Sequence, residues 1–312
     1  MTDQSQNGGL PPEAAEFLRK QHIHFCLPMY GGLCNEATFI GMIKFGIIAG
    51  KLGINYSIDT MVNESLITRG RNNLVSKMLF NKAATHLMFI DVDLGFDPEA
   101  IIRLMLANQD VVGGVYPMKR VPIRYVINTV PNPVTMGELV EVSTLGTGFM
   151  MIKRQVLEKM IELHPELKYR DNIGIGPQYE PLMYGLFDTM IDEHQNYLSE
   201  DWTFCYLWRK AGGKIFADTG IKLDHTGYHK YEGNVEELKK VLTNQITNGG
   251  KHHFELQEEE KRKAAEAAAA KNSTPAPAPM KAAGKPPAKP GMLKLKVTDG
   301  LDDIKIIDRQ AS

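Results

Sequence analysis

The sequence feature that most constrains the fold is an apolar run that stops at two aspartates. Residues 86–90 read His-Leu-Met-Phe-Ile and are followed by Asp91, Val92 and Asp93. Because the run is apolar on both faces of a strand, we interpret it as a buried strand of a parallel sheet. Ligands of open α/β sheets bind beyond the carboxyl ends of the strands. The two carboxylates are therefore predicted to face a cleft, and a solvated turn is the competing interpretation.

Strand-like and helix-like segments alternate along the chain up to Tyr116. The predicted strands are 22–28, 54–59, 86–90 and 110–116, and the predicted helices between them are 36–52, 66–83 and 98–107. This alternation is typical of a parallel sheet with helices on both faces. Later segments predict helices at 153–163, 200–211 and 235–243 and short strands at 214–217 and 221–225. The sequence therefore predicts an α/β fold with a mostly parallel central sheet flanked by helices.

Two internal segments and both ends have a different composition. Residues 117–142 are rich in proline and predict an inserted loop or hairpin, and residues 166–198 predict a long functional loop that forms an acceptor wall or lid. Residues 1–20 predict a flexible lead-in, and 251–291 an Ala/Lys/Pro-rich linker. Residues 292–312 are either a docking segment or a disordered tail, which leaves 21–250 as the folded domain and the rest as a disordered C-terminal extension.

Charge and cysteine content argue against several classes of protein. A formal net charge of -1 argues against a protein that coats nucleic acid with a basic surface, but it does not exclude a local basic groove. The 3 cysteines have no Cys-x-x-Cys spacing, which argues against a disulfide framework and a structural zinc site. No apolar run reaches membrane-spanning length, and the N-terminal residues lack an apolar signal core. We therefore expect a soluble cytoplasmic protein without a membrane partner.

Four polar patches are candidates for chemistry: the aspartate pair already described, an acidic pair at 200–201, an Asp-His pair at 224–225, and a basic group at 69–72. Each has an ordinary structural explanation when taken alone. Acids are favoured in the first turn of a helix, and arginines commonly cover a solvated helix face. The patches become informative when they are taken together and in order.

In that order the patches resemble the nucleotide-sugar-dependent glycosyltransferases of the GT-A fold, which is Rossmann-like. The likeness covers residues 23–231, and a narrower likeness is to family-two-like enzymes carried by large bacteriophages. The wider likeness is carried by Phe89-Ile90-Asp91-Val92-Asp93, Gly146-Thr147-Gly148-Phe149-Met150, Ser199-Glu200-Asp201-Trp202 and Asp224-His225-Thr226-Gly227. The narrower likeness is carried by Arg69-Gly70-Arg71-Asn72 and Tyr116-Pro117-Met118-Lys119.

The resemblance implies a metal-dependent sugar transfer. It implies Asp93 and His225 as ligands of Mn²⁺ or Mg²⁺, with Asp91 as an indirect metal partner or a ribose contact. A carboxylate and imidazole set suits Mn²⁺ somewhat better than Mg²⁺. Asp201 is the candidate general base, and Glu200 beside it would raise its pKa through like-charge repulsion. Direct displacement with Asp201 as the base would invert the anomeric carbon.

The expected donor is a nucleoside diphosphate sugar, with UDP as the expected nucleotide. Arginines suit the diphosphate because the guanidinium fork binds two oxygens at once, and glycines near the site let the backbone approach a sugar. The candidate donor contacts are Pro28, Tyr30, Asp59, Arg69, Arg71, Asn72, Asp91, Lys119 and Gly148.

The acceptor and the reaction class leave alternatives open. Hydroxymethylated bases of phage DNA are one acceptor class that the resemblance implies, and a glycan or a protein is another. A nucleotidyltransferase also uses paired acids on a parallel sheet, but residues 30–33, Tyr-Gly-Gly-Leu, make a poor phosphate loop. A non-catalytic sugar-binding or nucleic-acid-binding module of the same fold is the third possibility.

Overall fold

The structure is a computed structural model that describes residues 10–249 and 262–263. The chain divides into two units, one ending at Lys261 and one beginning at Arg262, and the second is described only at Arg262 and Lys263, which are helical. The predicted linker at 251–291, apart from those two residues, and the predicted tail at 292–312 lie outside the described residues.

The first unit contains seven α-helices among its described residues. They are α1 Pro12–Arg19, α2 Glu36–Leu52, α3 Ile67–Phe80, α4 Glu99–Ala107, α5 Arg154–Leu163, α6 Glu200–Lys210 and α7 Val235–Thr247. Their caps follow the usual chemistry of helix ends. Gly53 ends α2 in the left-handed conformation, and Asn234 caps α7 by accepting a hydrogen bond from the backbone N–H of Glu237. None of the helices described is long and apolar enough to cross a membrane.

The strands described begin with β1 and follow the chain order. They are β1 His22–Met29, β2 Asn55–Val62, β3 His86–Ile90, β4 Leu94–Phe96, β5 Val111–Gly114, β6 Asn128–Thr129, β7 Thr135–Met136, β8 Leu139–Thr144, β9 Phe149–Lys153, β10 Met190–Ile191, β11 Tyr197–Leu198, β12 Phe216–Asp218, β13 Leu223–Thr226 and β14 Lys230–Tyr231.

A nine-stranded sheet forms the centre of this unit, in the order β2-β1-β3-β9-β5-β12-β8-β6, with β7 paired to β8. Strands β1, β2 and β3 pair in parallel, and β5 pairs in parallel with β12. Only β8 and β9 run against the others in this sheet. The predicted α/β class with a mostly parallel sheet is therefore confirmed, with β9 as an antiparallel strand between β3 and β5.

Helices cover both faces of the sheet, as the alternation predicts. Strand β3 shows why, because Leu87 and Phe89 enter one buried cluster while Met88 and Ile90 enter the other. The first cluster is completed by α3, α5, α6 and α7, and the second by α1, α2 and α4. A strand that is buried on both faces must be apolar throughout, and this accounts for the run at 86–90.

The predicted flexible lead-in at 1–20 is wrong over residues 12–19, which form α1. Pro12 occupies the first helical position, where its missing N–H costs nothing. Leu18 is fully buried in the second cluster, with Phe17 packed beside it. A contact of this kind is hard to recognise in a segment of 8 residues with only two large apolar side chains, Phe17 and Leu18.

The long loop predicted at 166–198 is anchored to the core of the unit. Leu186 and Phe187 are fully buried, and the Phe187 ring stacks on Phe204 with centroids 4.5 Å apart. Tyr169 donates a hydrogen bond of 2.6 Å to Asn73 of α3. The loop therefore packs along α3 and α6, and its prediction as an acceptor wall or lid stays untested.

Candidate active site

The carboxyl end of β3 brings together residues that are far apart in sequence. Beyond Ile90 the chain turns through Asp91 and Asp93 into β4, which pairs with β13 so that His225 lies opposite Leu94. The backbone N–H of Thr226 donates a 2.8 Å hydrogen bond to the carbonyl of Asp93. The end of β5 and the start of α6 complete this edge, as the rule for open α/β sheets predicts.

Asp93, Lys119 and His225 form what we call the outer cluster. Lys119 Nζ donates a hydrogen bond to Asp93 Oδ2, and His225 Nε2 lies 3.5 Å from Asp93 Oδ1. His225 Nδ1 lies 2.8 Å from the carbonyl oxygen of Pro117. A carbonyl can only accept, so Nδ1 carries a proton that it donates to Pro117, while Nε2 faces Asp93.

The electrostatics of the outer cluster favour an ionised Asp93. Burial alone would raise the pKa of this carboxyl, but His225 and Lys119 together hold it below its usual value. Asp93 Oδ1 is buried and has no hydrogen-bond partner among the described residues. A buried carboxylate oxygen that lacks a partner is costly, because its water has not been replaced.

The unpartnered Oδ1 of Asp93 is the observation that shows whether this site suits a metal ion. Asp93 Oδ1 and His225 Nε2 face each other, and the second nitrogen of the imidazole is fixed by a backbone carbonyl, as is usual for metal-binding histidines. No group of three or more His, Cys, Asp or Glu side chains able to hold a metal occurs among the described residues. The pair therefore fits a divalent cation that takes its other ligands from phosphates and water.

Arg71, Asp91 and Glu200 form what we call the inner cluster. Arg71 Nη2 donates to Asp91 Oδ1 at 2.9 Å, and Arg71 Nε donates to Glu200 Oε1 at 3.2 Å. The guanidinium carbon lies 5.3 Å from the centre of the Phe89 ring, and Nη1 is buried without a hydrogen-bond partner among the described residues. Burial would lower the pKa of Arg71, but Asp91 and Glu200 raise it. The arginine thus stays charged and joins α3, β3 and α6.

Asp201 differs from Glu200 although the two are neighbours in the first turn of α6. It lines a cavity of about 450 Å³, here called the Asp201 cavity, together with Tyr116, Lys119 and His225. Asp201 Oδ1 accepts hydrogen bonds from the Ser199 hydroxyl and from the backbone N–H of Trp202, the latter at 2.8 Å. Burial raises the pKa of Asp201, and the charge of Glu200 raises it further, as predicted from their adjacency.

Tyr116 is a site residue to which sequence reasoning assigned no role. Its hydroxyl accepts a 3.2 Å hydrogen bond from the backbone N–H of Gly148. A Cβ on Gly146 or Gly148 would lie 2.4 Å or 2.8 Å from atoms of Tyr116, so both positions require glycine. Gly148 was predicted as a donor contact, and the structure gives it a packing role against this ring.

Arg69 and Asn72 lie on the same helix as Arg71 but contact different parts of the protein. Arg69 makes a two-pronged pair with Glu64, at 2.7 and 2.9 Å. Asn72 both donates to and accepts from the backbone of Phe187, at 3.1 and 2.8 Å. Arg69 and Asn72 were predicted as donor contacts, and the bonds that they make tether neighbouring segments of the protein.

The remaining predicted donor contacts lie on the first two strands. Asp59 is engaged with Lys77 at 3.2 Å and with His24 at 3.1 Å, within the body of the sheet. Pro28 lies near the end of β1, and Tyr30 follows it in a short turn with a 70% exposed ring. None of these three contacts the outer or the inner cluster in the described residues, and their role as donor contacts stays a prediction.

No family model and no curated protein matches the chain. Among solved structures, A197 from STIV is similar at 18% identity and a TM-score of 0.39, covering 69% of this chain and 94% of that one. TarS 1-349 of S. aureus is similar at 13% identity and a TM-score of 0.28, covering 52% of this chain and 54% of that one. A glycosyltransferase involved in glycosylation of the major capsid of PBCV-1 is similar at 10% identity and a TM-score of 0.26, covering 51% of this chain and 72% of that one. These likenesses are too distant for the site to be argued from them, so its chemistry is argued from its own residues.

Proposed function

We propose that the protein is a metal-dependent glycosyltransferase that moves a sugar from a nucleoside diphosphate sugar, with UDP as the expected nucleotide, to an acceptor hydroxyl. The observation that carries the proposal is that a candidate base and candidate contacts for the leaving group line one cavity at the edge of the sheet. Asp201 opens into a cavity as a carboxylate with a raised pKa, and His225 and Lys119 line the same cavity. A site with a base on one side, and with a lysine and a candidate metal ligand on the other, suits the deprotonation of a hydroxyl and the release of a diphosphate.

Asp201 is the base in this proposal because Glu200 is already engaged. Glu200 is bonded to Arg71, whose side chain is 4% exposed, so its carboxylate is held away from the cavity. A raised pKa makes a carboxylate a stronger base, provided that it is still ionised at the working pH. Ser199 and the N–H of Trp202 hold Asp201 Oδ1, which leaves Oδ2 to receive the proton.

The reaction would proceed by direct displacement. The acceptor oxygen loses its proton to Asp201 and forms a bond to the anomeric carbon as the bond from that carbon to the diphosphate breaks. The electron pair of the broken bond leaves on the nucleoside diphosphate, and the anomeric configuration inverts. Lys119, which lines the cavity, supplies a positive charge near the leaving group.

Asp93 and His225 are the residues that would hold the divalent cation, for which Mn²⁺ is the first choice. When bound, such a cation neutralises the charge that develops on the diphosphate. The chain's own contribution is to keep Asp93 ionised and the His225 ring oriented by Pro117.

The test is Asp201→Asn, assayed against several nucleotide sugars with 5-hydroxymethylcytosine DNA and glycan acceptors. The amide has nearly the same shape, so donor and metal binding should persist while transfer falls by about 100-fold or more, as for the loss of a general base. Asp192→Asn is the matched control, because that carboxylate is exposed and accepts hydrogen bonds from its own turn. Near-normal transfer by the Asp201 variant would remove Asp201 as the base.

The released product distinguishes the competing reaction classes. A glycosyltransferase releases a nucleoside diphosphate, whereas a nucleotidyltransferase making a nucleotide sugar releases pyrophosphate. A binding module releases neither from the donor. Measuring both products with the wild-type chain, first with nucleotide sugars and then with nucleoside triphosphates and sugar 1-phosphates, therefore decides among the three before any variant is made.

A further inference from the structure

A second cavity, which we call the lateral cleft, adjoins the Asp201 cavity. It has a volume of about 570 Å³ and is lined by residues of the segment 118–128, by Trp202 and by α7. Met118, Val126, Ile127 and Trp202 line both cavities. A molecule in the lateral cleft would therefore lie beside the cavity that Asp201 lines.

The charged side chains that line the lateral cleft are all positive. Arg120 and Arg124 line it, and no carboxylate does. Within the described residues neither guanidinium has a hydrogen-bond or ion-pair partner, whereas Arg71, Arg103 and Arg154 are all paired. Unpaired guanidinium groups beside a cavity are suited to phosphate, which they bind through two parallel hydrogen bonds.

The walls of the lateral cleft are apolar, with amide groups on one side. Ile123, Val126 and Val241 supply apolar surface, and Asn244 and Asn248 face the cleft one turn apart on or just after α7. Neither of these two side-chain amides has a partner among the described residues. An apolar slot with free amides suits a flat heteroaromatic ring, since an amide can hydrogen-bond to the edge of a base.

We propose that the lateral cleft binds single-stranded nucleic acid as the acceptor, which deepens the proposed function and rests on it. Phosphodiester groups contact Arg120 and Arg124, and a base lies in the apolar slot with its edge toward Asn244 and Asn248. The neighbouring nucleotide then presents to Asp201 the hydroxyl of a hydroxymethylated base, since an internal deoxynucleotide has no free sugar hydroxyl. A concave cleft of this size takes an extruded or unpaired base, whereas reading a duplex requires an element that enters its groove.

The test measures binding of a short, labelled, single-stranded oligodeoxynucleotide to the full-length chain by fluorescence anisotropy. The double variant Arg120→Gln with Arg124→Gln should weaken binding by about tenfold, to a similar extent for different base sequences. The slope of log Kd against log salt should flatten by about 0.7 for each phosphate that an arginine no longer neutralises. The matched control is Arg170→Gln, because Arg170 is also exposed and has no partner among the described residues.

Tryptophan fluorescence provides a second readout. Of the 2 tryptophans in the chain, Trp208 is only 4% exposed, so quenching by a bound oligonucleotide would report on Trp202. Wild type and the Arg170 control should show this quenching, and the double variant should need more oligonucleotide to reach it. Donor hydrolysis without acceptor should be the same in wild type and the Arg170 control.

The possible failures of the two proposals can be told apart. Loss of the proposed function appears as a wild-type chain that hydrolyses no donor, whatever the binding assay shows. Equal oligonucleotide affinity and equal salt slope in wild type and the double variant would overturn the lateral cleft as a nucleic-acid site. Arginine-dependent binding to phosphatidylglycerol vesicles, without binding to the oligonucleotide, would overturn it in favour of a lipid phosphate.

Discussion

The outer and inner clusters of the site use similar residues in opposite ways. Both pair an aspartate of the same Asp-x-Asp motif with a cationic side chain, Asp93 with Lys119 and Asp91 with Arg71. The Lys119 side chain is 40% exposed and the Arg71 side chain is 4% exposed. The two carboxylates are similarly exposed, at 31% for Asp93 and 28% for Asp91, so the pairs differ in their cations: Lys119 lines a cavity, whereas the Arg71 side chain is buried.

This difference shows how one short motif can carry two roles. A buried guanidinium that joins two carboxylates resists displacement, because separating them would leave uncompensated buried charge. An exposed ammonium on a flexible stem can leave its carboxylate at little cost when another cation arrives. We therefore expect the inner cluster to hold the site in shape and the outer cluster to exchange Lys119 for the proposed metal ion.

The largest expected effect is the loss of the inner cluster in Arg71→Met. Methionine keeps the apolar stem but leaves Asp91 and Glu200 without their shared guanidinium. The free energy of unfolding, measured with urea at neutral pH, should fall by about 3–5 kcal/mol, the usual cost of removing one partner of a buried pair.

Arg69→Met is the matched control on the same helix. Arg69 pairs with Glu64, and its side chain is 31% exposed, so its removal should cost at most about 1 kcal/mol. Equal losses in the two variants would contradict the structural role of the inner cluster.

Arg69 and Arg71 also show where sequence reasoning reaches its limit. Both were predicted as donor contacts, because a guanidinium fork suits a diphosphate, and both stand near the start of one helix. Residues two apart on a helix point about 200° away from each other, so only one can reach β3, and the sequence alone does not say which. The same limit applies to Asp59, whose partners Lys77 and His24 come from different elements.

Local patterns predicted most of the fold, and non-local pairing accounts for the misses. The buried strand at 86–90 and the helix at 36–52 have the predicted bounds, since burial and a glycine stop are visible in their residues. The antiparallel β9 was not predicted, because Phe149–Lys153 is apolar on both faces, as a parallel strand would be. The order of strands in a sheet depends on partners that are distant in sequence.

The positions of Asp93, Asp201 and His225 at one edge of the sheet were predictable, since each stands at a strand end or a helix start, and their functional roles stay predictions. The lateral cleft was missed, because Arg120 and Arg124 belong to a proline-rich segment with weak periodicity. A possible signal was the excess of basic over acidic residues in this segment, which has three basic residues at 119, 120 and 124 and no acid from 117 to 128.

The second expected effect concerns the outer cluster and the metal. Asp93→Ala removes the buried carboxylate that faces His225, so the Mn²⁺-dependent part of donor affinity should fall by about 100-fold or more, since even indirect metal contacts are worth up to that much. Calorimetric titration with a UDP-sugar, once in Mn²⁺ and once in EDTA, gives two donor affinities, and their ratio is the Mn²⁺-dependent part.

Lys119→Met is the informative comparison for that measurement. It removes the ammonium from Asp93 but leaves both candidate metal ligands, so Mn²⁺ alone should bind as well as it does to wild type, or better. A loss of Mn²⁺ binding as complete as in the Asp93 variant would contradict an outer cluster that exchanges Lys119 for a metal.

The smallest expected effect is on the free energy of unfolding, and it follows from the opposite pKa shifts of Asp201 and Asp93. The pKa of Asp201 is raised in the folded protein, chiefly by burial, so folding is opposed once the pH exceeds its unfolded value. The pKa of Asp93 is lowered, because His225 and Lys119 outweigh its burial, so its ionised form stabilises the fold at neutral pH. Asp201→Asn should therefore raise the free energy of unfolding at pH 7, and Asp93→Asn should lower it.

Both differences should fade as the pH falls, the Asp201 difference above the unfolded pKa of an aspartate, about 3.9, and the Asp93 difference below it. The stabilisation by Asp201→Asn is expected above the unfolded pKa of an aspartate, about 3.9, grows up to the raised folded value, and is absent in more acidic solution, where the wild-type residue is protonated in both states. The loss in Asp93→Asn is full at neutral pH and fades as the pH falls from that same unfolded value to the lowered folded one. Urea unfolding from pH 3 to pH 8 in the presence of EDTA follows both curves. Changes of the same sign at pH 7 would contradict the division of the site into a proton-accepting carboxylate and a cation-binding one.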